Sequence, residues 1–200
     1  MTDRYLIPAG RSQIELVILR SRFISTADYT PTVEAAKAFI AEISQTYADA
    51  SHNVYAFAVG FGATVTHGMT DDGEPSGTAG KPTLAVVKGS GLGDVTVVTT
   101  RYFGGTKLGT GGLVKAYTES AQLVLSEIPR LEKIEKQTLT FAIPYNLYER
   151  VKRLIDRHDG QLETEEFGVD IAMQLIMPQS EVDSFAAALT ELSAGRIMLD

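Results

Sequence analysis

The sequence predicts an α+β chain of two mixed domains, and three observations carry that prediction. Fourteen of the eighteen glycines fall between Gly60 and Gly112, which marks a stretch of tight turns or of close backbone approaches. Pro129-Arg130 then interrupts the chain. Beyond it the pattern runs strand, helix, strand, strand, helix, strand in about 70 residues, the split βαβ or ferredoxin-like order. The first domain is accordingly placed at residues 1–128 and the second at 129–200.

Within the first domain, Ile14–Leu19 and Phe23–Ala27 read as strands, the former too apolar for an exposed edge. Pro31 can occupy the first turn of a helix. Val33, Ala36, Ile40 and Ile43 continue it at helical spacing to about Tyr47. Val54–Gly60 alternates as a strand around Tyr55 and Phe57. Pro82–Lys88 predicts a short helix that ends at the glycines following it. Val95–Thr100 is β-branched throughout and predicts a buried strand. Gly111–Leu125 is the clearest helix here, with Leu113, Tyr117, Ala121 and Val124 on one face.

In the second domain the strands are Thr138–Ile143, Gln161–Phe167, Asp170–Met177 and a short closing strand, Arg196–Leu199. The helices are Tyr145–Arg157 and Ser180–Leu192. His158-Asp159-Gly160 supplies a glycine stop after the first helix, and Gly168 a hairpin turn.

Composition narrows the function. With no cysteine, the chain has no disulfide, no thiolate nucleophile and no cysteine metal site. No apolar run reaches the roughly 20 residues of a membrane helix, and Met1–Tyr5 lacks a secretory layout. A cytoplasmic location with no membrane partner is expected. The net charge of −7 repels nucleic acid at long range. Residues 1–128 carry 10 Lys+Arg against 12 Asp+Glu, a net of −2, and residues 129–200 carry 8 against 13, a net of −5. The first domain is the better host for a polyanion, whereas the acidic second domain suits a basic ribosomal partner.

Familiar signatures fail. Gly80-Lys81 is followed by Pro82, with Pro75 where a phosphate-binding loop needs its first glycine. Gly109-Thr110-Gly111 lacks the third glycine of a dinucleotide fingerprint, because Val114 stands there. There is no Gly-x-Ser-x-Gly elbow, and His52, His67 and His158 lie outside any zinc spacing.

Two segments remain. In Val98–Lys115 a buried strand opens into a glycine loop that feeds a helix. Thr110 is expected to cap that helix, leaving the amides of Gly111, Gly112 and Leu113 open to an anion. Arg101, Lys107 and Lys115 add cations, Tyr102 and Phe103 offer stacking faces, and Gly104 and Gly105 let the backbone approach a ligand. The rival reading is a tight connection with solvated lysines and core aromatics. The second segment, Thr70–Pro82, carries Asp71, Asp72 and Glu74, which could hold magnesium or instead cap turns and pair with Lys81 or Arg101. His52, at a strand start, is a possible neighbour of the site.

Asp71-Asp72-Gly73-Glu74-Pro75-Ser76-Gly77-Thr78-Ala79-Gly80-Lys81-Pro82 resembles a signature of the IMPACT/YigZ family. So does Thr100-Arg101-Tyr102-Phe103-Gly104-Gly105 followed by Leu108-Gly109 and Gly111-Gly112-Leu113-Val114. His52 and Ser21-Arg22-Phe23-Ile24 fit as well, and the likeness spans essentially the whole chain. It implies a first domain with the ribosomal-protein-S5-domain-2-like fold. It also implies a ferredoxin-like second domain similar to the C-terminal domain of elongation factor G. The family often has cysteine where Val54 stands, so thiol chemistry is not expected there. The additional N-terminal RWD domain of eukaryotic members, which regulate the translational stress response, is not expected either.

The leading expectation is therefore a translation-associated protein that docks RNA or a ribosomal surface, with no catalytic residue and no cofactor. The alternative is a metal-assisted enzyme or binding protein for a phosphate-bearing small molecule, using Asp71, Asp72 and Glu74 with magnesium.

Overall fold

The computed structural model describes residues 4–197 and 199. The chain divides between Lys133 and Ile134 into two compact units, with the residues before Tyr5 grouped with the second.

The first unit is built on a five-stranded antiparallel sheet. In chain order its strands are β2 (Ser12–Ile18), β3 (Ser21–Tyr29), β4 (His52–Val59), β5 (Thr66–Thr70) and β6 (Val95–Tyr102); in space they run β2-β3-β6-β4-β5. The central strand β6 is buried almost throughout because helices cover both faces of the sheet. Val98 packs on one side with Phe39 and Ile43 of α1 (Val33–Thr46). Val95 and Val97 pack on the other with α2 (Gly80–Gly89) and α3 (Gly109–Glu127). The two-residue period of a strand thus sorts β6 between two cores. β2 is an edge strand, contrary to expectation, and Val17 is 59% exposed. Its alternate residues Ile14, Leu16 and Ile18 still bury one face against the α2/α3 side, which accounts for its apolar content. Pro31 precedes α1 rather than opening it; the Thr32 side chain caps the helix, accepting from the Ala35 amide at 3.0 Å.

The break expected at Pro129-Arg130 leads directly into another strand. β7 (Arg130–Ile134) pairs with β1 (Arg4–Pro8) in a two-stranded sheet. Asp94, just before β6, fastens that ribbon to the unit: its carboxylate accepts from the Tyr5 hydroxyl at 2.9 Å and from Lys133 Nζ at 2.8 Å. Burial alone would lower the Lys133 ammonium, but its bonds to Asp94 and Tyr5 outweigh burial and raise it above its ordinary range.

The second unit contains β8 (Lys136–Ile143), α4 (Tyr148–Arg157), β9 (Gln161–Phe167), β10 (Ile171–Pro178) and α5 (Val182–Leu192), with sheet order β8-β10-β9. All pairings are antiparallel, with Leu175 opposite Leu139 on one side and Leu162 on the other. Leu139, Phe141, Met173 and Leu175 meet Val151, Leu154, Phe185 and Leu189 of the two helices in a single core. α4 ends in a Schellman motif: Gly160 N–H donates to the Ile155 carbonyl, and Asp159 takes the left-handed conformation at φ 53°. Gly160 is required for a different reason, since a Cβ there would meet Ile155 Cγ2 at 2.8 Å. The closing strand expected at Arg196–Leu199 falls partly outside the described residues, and Arg196 and Ile197 form a bend and a loop.

Candidate nucleic-acid interface

The start of β3, the start of β4 and the end of β6 meet at one pole of the first sheet, where Phe23 and His52 both pair with Arg101. Strand parity puts Arg101 on the same face as Val95 and Val97, so its side chain turns inward and is 5% exposed. There Nη1 donates to Glu74 Oε1 at 2.6 Å, Nη2 reaches Ser21 Oγ at 3.4 Å, and the guanidinium lies over the Phe23 and Phe103 rings. Arg101, expected from the sequence at the surface, is an interior cation held by a buried carboxylate.

The loop between β5 and α2 exists to deliver that carboxylate. Asp71 accepts from the amides of Gly77, Ala79 and Gly80 at 2.8, 3.0 and 2.8 Å and so ties the loop to the start of α2. Burial pushes the Asp71 carboxyl upward, but the three amides outweigh it and leave it below the usual range. Asp72 adopts φ 43°, accepts the Asn53 amide at 2.5 Å, and offers its own carbonyl to His52 Nδ1 at 2.7 Å. A carbonyl can only accept, so that contact fixes the proton on Nδ1 and leaves Nε2 facing Glu74 Oε2 at 3.8 Å. Glu74 Oε1 also accepts from the Tyr117 hydroxyl at 2.8 Å. Burial, with the Glu74 charge and hydrogen bond, drives that phenol above its ordinary range. Of the two readings of these carboxylates, the structure matches capping and pairing with Arg101: Asp71 caps a helix, Asp72 caps a strand and Glu74 neutralises an arginine. Among the described residues no group of three or more His, Asp or Glu could hold a metal ion.

The glycine loop itself is divided. Gly104 rests on the β2–β3 turn, its amide donating to Ser21 Oγ at 3.1 Å; a Cβ there would lie 2.1 Å from the Arg20 carbonyl carbon. Gly105 is exposed with φ 83°. Tyr102 is half-buried: Arg22 covers its ring and its hydroxyl donates to Asp49 at 2.7 Å. Phe103 is instead the open ring, 49% exposed. α3 begins at Gly109, two residues before the start expected from the sequence. Thr110 lies in its first turn rather than capping it, and Leu108 at the N-cap provides no side-chain bond. Among the described residues no side chain caps the leading amides of α3. Lys107, Thr110, Gly111 and Lys115 are exposed, whereas Gly112 is half-buried against Leu108. From Phe103 to Thr118 the sequence has no carboxylate.

Lys81, exposed at the start of α2, borders a groove of about 800 Å³ between α2 and α3, with Pro82, Val86, Val114 and Arg130. Sequence reasoning missed this groove, because the side-by-side placement of two helices on one sheet face is a tertiary fact.

The chain thus combines a mixed sheet–helix unit, whose glycine-rich loops fold around a buried arginine, with a following unit of three strands and two helices. The model described as the Impact N-terminal domain matches residues 19–125, and a domain of unknown function, DUF1949, matches residues 141–196. The chain belongs to the IMPACT family, with a ribosomal-protein-S5-domain-2-like first domain and a ferredoxin-like second. It is 36% identical to the IMPACT family member YigZ of Escherichia coli K12, covering 98% of this chain and 97% of that one. It is 32% identical to the IMPACT family member YvyE of Bacillus subtilis 168, covering 98% and 90%. A solved crystal structure of a hypothetical protein superposes with a TM-score of 0.71 at 35% identity, covering 100% of this chain and 97% of that one. Among the described residues no helix is long and apolar enough to cross a membrane.

Proposed function

We propose that this chain is a cytoplasmic, translation-associated protein that binds RNA, free or exposed on the ribosome, through the rim of its glycine loop. One observation carries the reading. The segment Phe103–Thr118 combines an open aromatic ring, two exposed lysines and side-chain-uncapped helix amides with no carboxylate, on a chain of net charge −7. Lys107 and Lys115 meet phosphates, the first amides of α3 take one phosphate, and Phe103 stacks on a base. Arg101 acts from behind, holding the Phe103 ring and Glu74 in place. The internal bonds of Asp71, Asp72 and Glu74 favour this reading over a metal-assisted one.

Anisotropy of a labelled single-stranded RNA over a salt series tests this. Lys107→Gln with Lys115→Gln is expected to make the logarithmic salt slope shallower by about 1.4, at roughly 0.7 per contact. No binding by the parent protein at low salt, or a slope unaltered in the double variant, overturns the reading.

A further inference from the structure

The second unit is acidic overall, with 8 Lys+Arg against 13 Asp+Glu in residues 129–200, a net of −5. Its cations are not spread evenly. Arg150, Arg153 and Arg157 stand at i, i+3 and i+7 on α4, so they form one stripe along the helix. All three are exposed, and all three line a groove of about 430 Å³ between α4 and α5, together with Leu154, Ala188, Leu192 and a single carboxylate, Glu191. Among the described residues none of the three guanidinium groups forms an ion pair or hydrogen bond. The carboxylates of α4 itself, Glu149 and Asp156, flank the stripe one step round the helix and do not line the groove.

Three unpaired arginines gathered on one groove, with Glu191 the one carboxylate lining it among the described residues, repel one another with only partial compensation. The arrangement suits an external anion. A guanidinium presents a rigid fork of donors that matches phosphate geometry. Seven residues at 1.5 Å per residue separate Arg150 from Arg157 by about 10 Å along the helix, too far for one phosphate to bridge. The occupant must carry several phosphates in a row. Hydrophobic Leu154, Ala188 and Leu192 form the floor, against which sugar or base surface can lie.

We propose that the α4–α5 groove is a second RNA-binding surface, which grips consecutive backbone phosphates through Arg150, Arg153 and Arg157. This rests on the RNA-binding reading above and extends it to the domain whose net charge argues against it.

The test uses the full-length chain and a fluorescein-labelled single-stranded RNA. Arg150→Gln, Arg153→Gln and Arg157→Gln together make the salt slope shallower by about 2, at roughly 0.7 per phosphate contact. Parent affinity accordingly falls roughly twentyfold more than the variant's between 50 and 200 mM salt. Glu191→Gln, which removes the one carboxylate lining the groove among the described residues, tightens binding. An unchanged melting temperature shows that the exposed substitutions leave the fold intact. If the arginine variant keeps the parent slope while Lys107→Gln with Lys115→Gln loses its share, the groove assignment is overturned and the glycine-loop reading stands. If the parent binds no RNA, both fall. A free nucleoside triphosphate as the true occupant would show as a thermal shift lost in the arginine variant with RNA affinity unchanged, which also overturns the assignment.

Discussion

His52 and Arg101 pair across β4 and β6, and both turn their polar ends toward the carboxylate of Glu74, at 3.8 and 2.6 Å. This convergence makes two signature stretches, distant in sequence, into one structural unit. The loop 71–79 places the acid, the end of β6 supplies the base, and α3 adds the Tyr117 hydroxyl.

Breaking that unit from one side is expected to be costly. Glu74→Gln leaves Arg101 charged and unpaired in the interior, and the loss of stability should reach about 3–5 kcal/mol in urea denaturation. Replacing both together, Glu74→Leu with Arg101→Met, should recover much of the loss, since two apolar side chains need no partner. A single variant as stable as the parent would show that the pair carries no structural load.

Asp71 makes stability depend on pH in a defined direction. Its folded carboxyl titrates below the usual range. The contribution is therefore complete above the unfolded value of about 3.9 and is lost as pH falls through the lower folded value. Parent and Asp71→Asn should differ most in urea midpoint near neutrality and converge below about pH 4. A difference independent of pH would contradict the assignment.

Two adjacent glycines should respond differently to alanine. At Gly104 a Cβ collides with the Arg20 and Ser21 backbone, and the variant should lose about 1–3 kcal/mol through forced displacement of the β2–β3 turn. At Gly105 there is open space but a φ of 83°, so alanine should cost about 1 kcal/mol from backbone strain alone. Thermal melts of the two variants separate the mechanisms; Gly105→Asn should be milder than Gly105→Ala.

The β2–β3 turn itself is strained. Leu19 and Arg20 take φ 45° and 67°, the pattern of a two-residue hairpin that favours Asn-Gly. Leu19→Asn with Arg20→Gly should raise the melting temperature by a few degrees, equivalent to about 1 kcal/mol. A lowered melting temperature would indicate that the two side chains contribute contacts beyond the turn.

The amphipathic helices and alternating strands of the second unit were legible because each buries one face against a single core. β1, β5 and β7 were not. Each is five residues long; β1 and β7 form a two-stranded sheet with a further bridge from Leu6 to Leu92, and β5 is an edge interrupted by Gly68, whose missing Cβ leaves room for the Phe57 ring. Arg101 was misplaced although its signal was present. Extending Val95–Thr100 by one residue puts position 101 in register with Val95, Val97 and Thr99, hence inside. Phe103, two positions on and past the strand end, escapes that parity and emerges. The turn-capping and arginine-pairing reading of Asp71 and Glu74 was legible as an alternative to a metal site, but the linear sequence did not single out Arg101 over Lys81 or name the amides of Gly77, Ala79 and Gly80, because those partners are set by tertiary contacts.

Co-sedimentation of the full-length chain with ribosomes at low salt tests the central claim most directly. The account predicts that the parent pellets with ribosomes, and that Phe103→Ala with Lys107→Gln and Lys115→Gln, each at an exposed position, leaves the protein folded but pelleting markedly less. Equal pelleting of parent and triple variant would contradict the claim that the glycine-loop rim makes the contact.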